Sequence, residues 1–228
     1  MDNRFPKCAQ CAIPAKERAC RRADGRGPEN CPTLQHKELV ESVFRGMPDE
    51  EKEFWRQSAL QEASCYAYRD QGPDMRRAVK PRIVEIVEFA RRMGYKRLGL
   101  IFCGGLHKES RIVNAILETN GFEVISAMCK AGRVCKSAVG VRQDEQCDVN
   151  AAEETICNPA FQAALMNMGE TEFNILMGLC VGHDTIAMRH VKAPATVLAV
   201  KDRVTGHNPL VPVYLYDSYY KYLKKPIC

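Results

Sequence analysis

Arg97-Leu98-Gly99-Leu100-Ile101-Phe102-Cys103 is the stretch on which the fold turns. Five apolar residues follow one arginine, and Gly104-Gly105 closes the run, so it is too short for a buried helix. It reads as a strand covered on both faces, the kind found in parallel sheets. The chain beyond it keeps alternating. A helix over 107–119 stops at Asn120-Gly121, and Phe122–Met128 is a second strand. A helix over 159–168 follows Asn158-Pro159, and Phe173–Val181 is a third strand. A helix from about Asp184 to Arg189 leads to a fourth, Ala195–Val200. Apolar strands joined by helical crossovers predict an α/β fold: a Rossmann-like parallel sheet with helices on both faces, spanning 95–228. A spatial order of second, first, third and fourth strand places the switch point between the first and third.

Toward the N-terminus, 33–94 reads as a helical region that packs on the core. Thr33 is expected to cap a helix through about Arg45, with Leu34, Leu39, Val40 and Val43 as its apolar stripe. Gly46-Met47-Pro48 breaks it, and a second helix runs from Asp49 to about Arg69, ahead of Gln71-Gly72-Pro73. A third, from Pro81 to Arg92, carries Ile83, Ile86, Val87 and Ala90 on one face and ends at Gly94. Residues 1–32 have no apolar period at all. Such a segment cannot bury a core and needs a staple, which a metal can supply.

The chain has 228 residues, 46% of them hydrophobic, and no run of 18 apolar residues. Its first residues, Met1-Asp2-Asn3-Arg4-Phe5-Pro6, form no apolar signal segment. A cytoplasmic location without a membrane partner is expected. In a reducing compartment its 12 cysteines point to metal or redox chemistry rather than disulfides. Residues 1–37 hold eight Lys/Arg against four Asp/Glu. Neutralising a thiolate–metal centre explains that excess more simply than nucleic acid, which is not expected as a partner.

Two constellations of thiols carry the chemistry. Cys8-x2-Cys11-x8-Cys20-x10-Cys31-Pro32 sets four cysteines in a coreless segment, the donor set of a single zinc or an iron–sulfur cluster. Cys103, Cys129 and Cys180 each sit at the carboxyl end of an expected strand, and parallel strands bring those ends to one edge, where ligands bind. Cys157, ahead of Asn158-Pro159, can join them from a helix N-terminus. These four are candidates for a second metal or cluster. Candidate catalytic residues are Cys180 as nucleophile, His183 as base, and Lys201, Asp202 and His207 in the polar loop that follows the fourth strand. Cys65, within a helical pattern, and Cys228, the last residue, are read as non-ligands. Cys135 and Cys147 lie in a long linker, 129–157, made locally basic by Lys130, Arg133, Lys136 and Arg142. A connection of that length is expected to fold over the site. Cys103-Gly104-Gly105-Leu106-His107 lacks the glycine spacing of a dinucleotide fingerprint.

Together, Asn30-Cys31-Pro32, Cys129-Lys130, Cys157-Asn158-Pro159, Gly178 through Asp184 and Lys201 through Pro209 resemble an uncharacterised cysteine-rich family of largely anaerobic bacteria and archaea, domain of unknown function 1847. The resemblance covers almost the whole chain. It implies metal binding and no established reaction. The gap between Cys11 and Cys20 is longer than the family's pattern, which sets Cys20 apart from the other three. The first expectation is therefore a metal- or cluster-binding protein of redox character, acting with a redox partner protein. An enzyme built on Cys180 with a purely structural N-terminal zinc is the second. A metal sensor or delivery protein without catalysis is the third.

Overall fold

The computed structural model describes residues 5–227, so Cys228 lies outside the described residues. The chain divides into two units, 1–56 and 57–228, and each is considered by itself.

The first unit begins with a loop segment in which Arg18 and Arg26 pair as an isolated parallel bridge. Two short helices follow: α1, Pro32–Gln35, and α2, Lys37–Gly46. The single helix expected from Thr33 to Arg45 is therefore broken. Cys31, not Thr33, sits at the N-cap, Pro32 opens the first turn, and His36 leaves the helical region at φ −123°. The stripe on α2 is not covered either, since Leu39, Val40 and Val43 are all at least half exposed. No residue from Phe5 to Arg56 is buried. The boundary between the units falls within α3, Asp49–Ser64.

In the second unit α3 stops at Ser64 rather than Arg69. The chain turns into a small antiparallel ladder, β1 (Tyr66–Ala67) with β2 (Arg77–Ala78), and the Cys65 carbonyl accepts the Val79 N–H at 2.9 Å. Cys65 itself is a core residue, its thiol donating to the Gln61 carbonyl at 3.1 Å. α4 (Arg82–Arg92) then buries Ile86, Val87, Phe89 and Ala90.

The remaining elements are β3 (Arg97–Phe102), α5 (His107–Thr119), β4 (Glu123–Met128), α6 (Pro159–Met168), β5 (Phe173–Leu179), α7 (His183–His190), β6 (Ala195–Val200) and the short α8 (Val211–Tyr214). The four strands form one parallel sheet in the order β4-β3-β5-β6, as the alternation of the sequence predicts. Because crossovers are right-handed, reversing direction after β4 puts α5 on one face and α6 and α7 on the other. The core follows the same division. Phe89 of α4 packs against Phe173 with the rings tilted at 53°, whereas Ile101, Ala127, Met166, Leu176 and Ala187 form the cluster beneath α6 and α7. Gly99 is glycine for a steric reason: a Cβ there would strike Asn174 Oδ1 and Met166 Sδ. Asn174 is wholly buried and held by the Thr171 hydroxyl at 2.9 Å.

β5 departs from the expected Phe173–Val181. Its register against β6 slips at Leu176/Met177 and again at Met177/Leu179, and Gly178 takes φ +70°. A residue with a side chain would be strained at that φ and would also strike Leu106. The slip brings Leu179 into the cluster beneath α6 and α7 and ends the strand just before Cys180.

Candidate functional site

Among the described residues, cysteines line a cavity in each unit. In the first unit a small cavity of about 80 Å³ is lined by Cys8, Cys11, Cys20 and Cys31, with Lys7, Arg18 and Arg26 among its walls. Cys8 and Cys11 come from one tight turn, closed by the Cys11 N–H on the Cys8 carbonyl at 3.2 Å. Arg18 ties the turn to the next segment through Ile13 O at 2.7 Å, and the Ala19 N–H donates to Arg26 O at 3.0 Å, beside Cys20. Gly27 lies so close to Cys31 that a Cβ there would meet its sulfur. Short turns and the start of α1 hold the four sulfurs around this space.

The second cavity, about 540 Å³, lies at the carboxyl edge of the sheet. Cys103, Cys129, Cys157 and Cys180 all line it, together with His183. Cys103 and Cys129 arrive by backbone hydrogen bonds that continue the sheet. The Cys103 N–H donates to Met177 O at 3.0 Å and the Cys129 N–H to Phe102 O at 2.9 Å; the Cys129 carbonyl accepts the Asn158 N–H at 2.6 Å. Asn158 in turn caps α6 by accepting the Phe161 N–H at 3.0 Å, with Pro159 at the first helical position.

Electrostatics divides these thiols. The Cys129 sulfur accepts the Gly104 N–H at 3.3 Å, and its interactions with the Cys157 and Cys103 thiols also favour the charged form. The Cys157 contact is the largest of the effects, and together they bring Cys129 down to about 5 against the opposing effect of burial. Cys157 is correspondingly pushed up, first by its interaction with Cys129 and then by burial. Cys180 has a different partner, the Arg203 guanidinium, which donates to its sulfur at 3.2 Å. His183, read from the sequence as a base for Cys180, instead meets it through the backbone, its N–H on Cys180 O at 3.0 Å.

Lys201, Asp202 and His207 do not line the cavity. Lys201 Nζ lies beside Gly105. Asp202 Oδ1 accepts the N–H groups of Val204 and Thr205, both at 2.9 Å, and these bonds hold its carboxyl below the usual range. His207 Nδ1 is within 3.0 Å of Val200 O and 3.2 Å of the Asp202 N–H. Both side chains are occupied in shaping the turn after β6, which is why their polar motif looked chemical in the sequence.

Two residues of the cavity wall, Arg203 and Glu154, and the fully buried Gln162 of α6 were not among the candidates read from the sequence. The linker folds over the site as its length predicts. Its arms pair at Cys135 and Thr155, and Lys136 Nζ ties Glu154 at 2.9 Å and the Cys147 sulfur at 3.4 Å. Cys147 joins the lining, while Cys135 donates to Glu153 at 3.2 Å. Nothing in the local pattern around Glu154 betrays this, because its partners lie eighteen and seven residues away. Gln162 is fully buried on α6. Its amide donates to Ala127 O at 2.6 Å and Phe102 O at 3.1 Å, the last carbonyls below Cys129 and Cys103. Gln162→Leu should lower stability by about 2 kcal/mol, the desolvation cost of an orphaned strand carbonyl. Urea unfolding measures this. A loss under about 0.5 kcal/mol, the size of an ordinary surface change, would show that water or the backbone replaces the amide.

Among the described residues, no three His, Cys, Asp or Glu side chains are grouped closely enough to hold an ion as they stand. No helix among them is long and apolar enough to cross a membrane.

The profile described as "Protein of unknown function (DUF1847)" matches residues 31–198. An uncharacterized protein of Methanocaldococcus jannaschii, MJ0455, is 38% identical over 175 residues, which is 76% of this chain and 84% of the relative. No solved structure matches. The matched span contains Cys31 and all the crevice thiols, and leaves Cys8, Cys11 and Cys20 outside it.

Proposed function

Since the chain belongs to the DUF1847 family, whose function is unknown, its chemistry has to be read from the thiols, and we propose that it is a metal-binding protein whose N-terminal unit is organised by one ion on Cys8, Cys11, Cys20 and Cys31. The observation that carries this is the absence of any buried residue from Phe5 to Arg56, combined with four thiols around one cavity of about 80 Å³. A segment of this size without a core does not pay for its own ordering entropy. Structural zinc supplies that energy in small domains. Thiolates repel one another until an ion draws them in, so donors that line a space without converging are compatible with this reading. Lys7, Arg18 and Arg26 at the walls offset the thiolate charge.

Anaerobic purification followed by metal analysis and an absorption spectrum tests it. The expected result is a colourless protein with one zinc per chain. Broad absorption near roughly 400 nm, from iron–thiolate charge transfer, would replace the single ion with an iron–sulfur cluster. No bound metal of either kind would end the proposal.

A further inference from the structure

The crevice thiols are arranged differently from those of the N-terminal unit. Cys129 and Cys157 line the same cavity, and their backbones are locked together by the Asn158 N–H on the Cys129 carbonyl at 2.6 Å. We propose that Cys129 and Cys157 form a reversible dithiol–disulfide couple that exchanges with a low-molecular-weight disulfide entering the crevice. This goes beyond the N-terminal ion and does not depend on it.

The geometry supplies each requirement of thiol–disulfide exchange. The attacking sulfur must be a thiolate. At Cys129 the Gly104 N–H donates to the sulfur at 3.3 Å, so the charge is stabilised without a metal. The resolving sulfur must be within reach, and Cys157 lines the same cavity on a backbone held against that of Cys129. Closing the bond requires the two sulfurs to come to roughly 2 Å, a side-chain rotation with the backbones held in place. The cavity must admit the reactant. At about 540 Å³ it falls within the roughly 300–1,000 Å³ of small-ligand clefts, and Cys129 is only 3% exposed on its wall. A small disulfide can reach that depth more readily than the disulfide of a folded protein.

The steps balance. The Cys129 thiolate attacks one sulfur of R–S–S–R, forming a Cys129–S–S–R bond, and the first R–S⁻ leaves with the electron pair of the broken S–S bond. The Cys157 proton passes to that leaving group. The Cys157 thiolate then attacks Cys129 Sγ, closing the Cys129–Cys157 bond and expelling the second R–S⁻, which takes its proton from water. The protein loses two electrons and the small disulfide gains them. A dithiol reverses the sequence.

Full-length reduced protein exposed to oxidised glutathione is the test, read by thiol counting and by mass mapping of peptides. The expected result is loss of two thiols per chain and a peptide cross-linked through Cys129 and Cys157. In Cys157→Ser the reaction should stop at a glutathione adduct on Cys129, and Cys157→Ala, with its CD spectrum checked, repeats the measurement where serine disturbs folding. The Cys8→Ser/Cys11→Ser variant should form the same cross-link, so that failure here is separate from failure of the N-terminal ion. A disulfide between any other pair, or adducts scattered over the crevice cysteines, would overturn the couple. So would a second equivalent of zinc that Cys129→Ser alone removes, because the four sulfurs would then be ligands. Faster exchange with a folded protein disulfide than with glutathione would overturn the assignment to a small reactant.

Discussion

Cys8→Ser/Cys11→Ser is expected to remove the bound metal completely and to leave residues 5–32 open to protease, while the unfolding midpoint of the second unit stays where it was. The size of the effect follows from what holds the segment together. Nothing from Phe5 to Arg56 is buried, so hydrophobic burial contributes little there. The backbone bonds that do exist, such as Ala19 N–H to Arg26 O and Cys31 N–H to Pro28 O, are solvent-exposed and individually worth about 1 kcal/mol. A structural zinc contributes roughly 10–16 kcal/mol of apparent binding energy, nearly all of it folding energy for such a segment. Losing two of four thiolates forfeits most of that. Metal analysis and limited proteolysis read the outcome together; metal retained at full stoichiometry would mean that Cys8 and Cys11 are not ligands.

The second large effect lies in the sheet. Ile101→Ala should lower stability by about 3–4 kcal/mol, toward the upper part of the range for large-to-small changes in a core. Ile101 is fully buried, pairs with Ala127 on one side and Leu176 on the other, and touches the cluster that includes Met166 and Ala187. Its neighbours on both sides are held in register by strands, so the space left behind has little freedom to collapse. Urea unfolding should show a lower midpoint at unchanged slope. The same change at Val204, 83% exposed, should move it by less than about 0.5 kcal/mol. A loss below about 1 kcal/mol for Ile101→Ala would mean that the core repacks. Because Cys103, Cys129 and Cys157 pack against the same cluster, the variant should also loosen the crevice.

How much of this could be read from the residues alone differs between the two units for a physical reason. The sheet was legible because burial on both faces forces unbroken apolar runs, and Leu98–Phe102 and Phe173–Leu179 can hardly be anything but interior parallel strands. The meeting of Cys103, Cys129, Cys157 and Cys180 at one cavity then follows from topology, since parallel strands end on one side. The finer arrangement was not legible. Pairing Cys129 with Cys157, and Cys180 with Arg203 rather than His183, depends on the slip at Gly178 and on side-chain directions that no periodicity encodes. Asp202 and His207 misled for the opposite reason. A turn that satisfies its own backbone uses the same residue types as a catalytic loop. In the helical region, apolar spacing on α2 suggested a covered stripe, yet spacing reports which face is apolar and not whether anything covers it.

The strand order has a consequence during synthesis. β3 is the inner strand that is made first; β4 follows it closely, but its other neighbour, β5, begins only at Phe173. At roughly 5–20 residues per second, the intervening stretch keeps the ribosome occupied for about 4–14 seconds. Throughout that interval one side of β3 presents unpaired backbone groups, flanked by its own apolar side chains, with Cys103 and Cys129 already made and Cys157 arriving only near the end. The nascent chain is therefore at its most vulnerable to strand-edge association and to thiol oxidation before its third strand emerges, and slower translation lengthens that exposure in direct proportion.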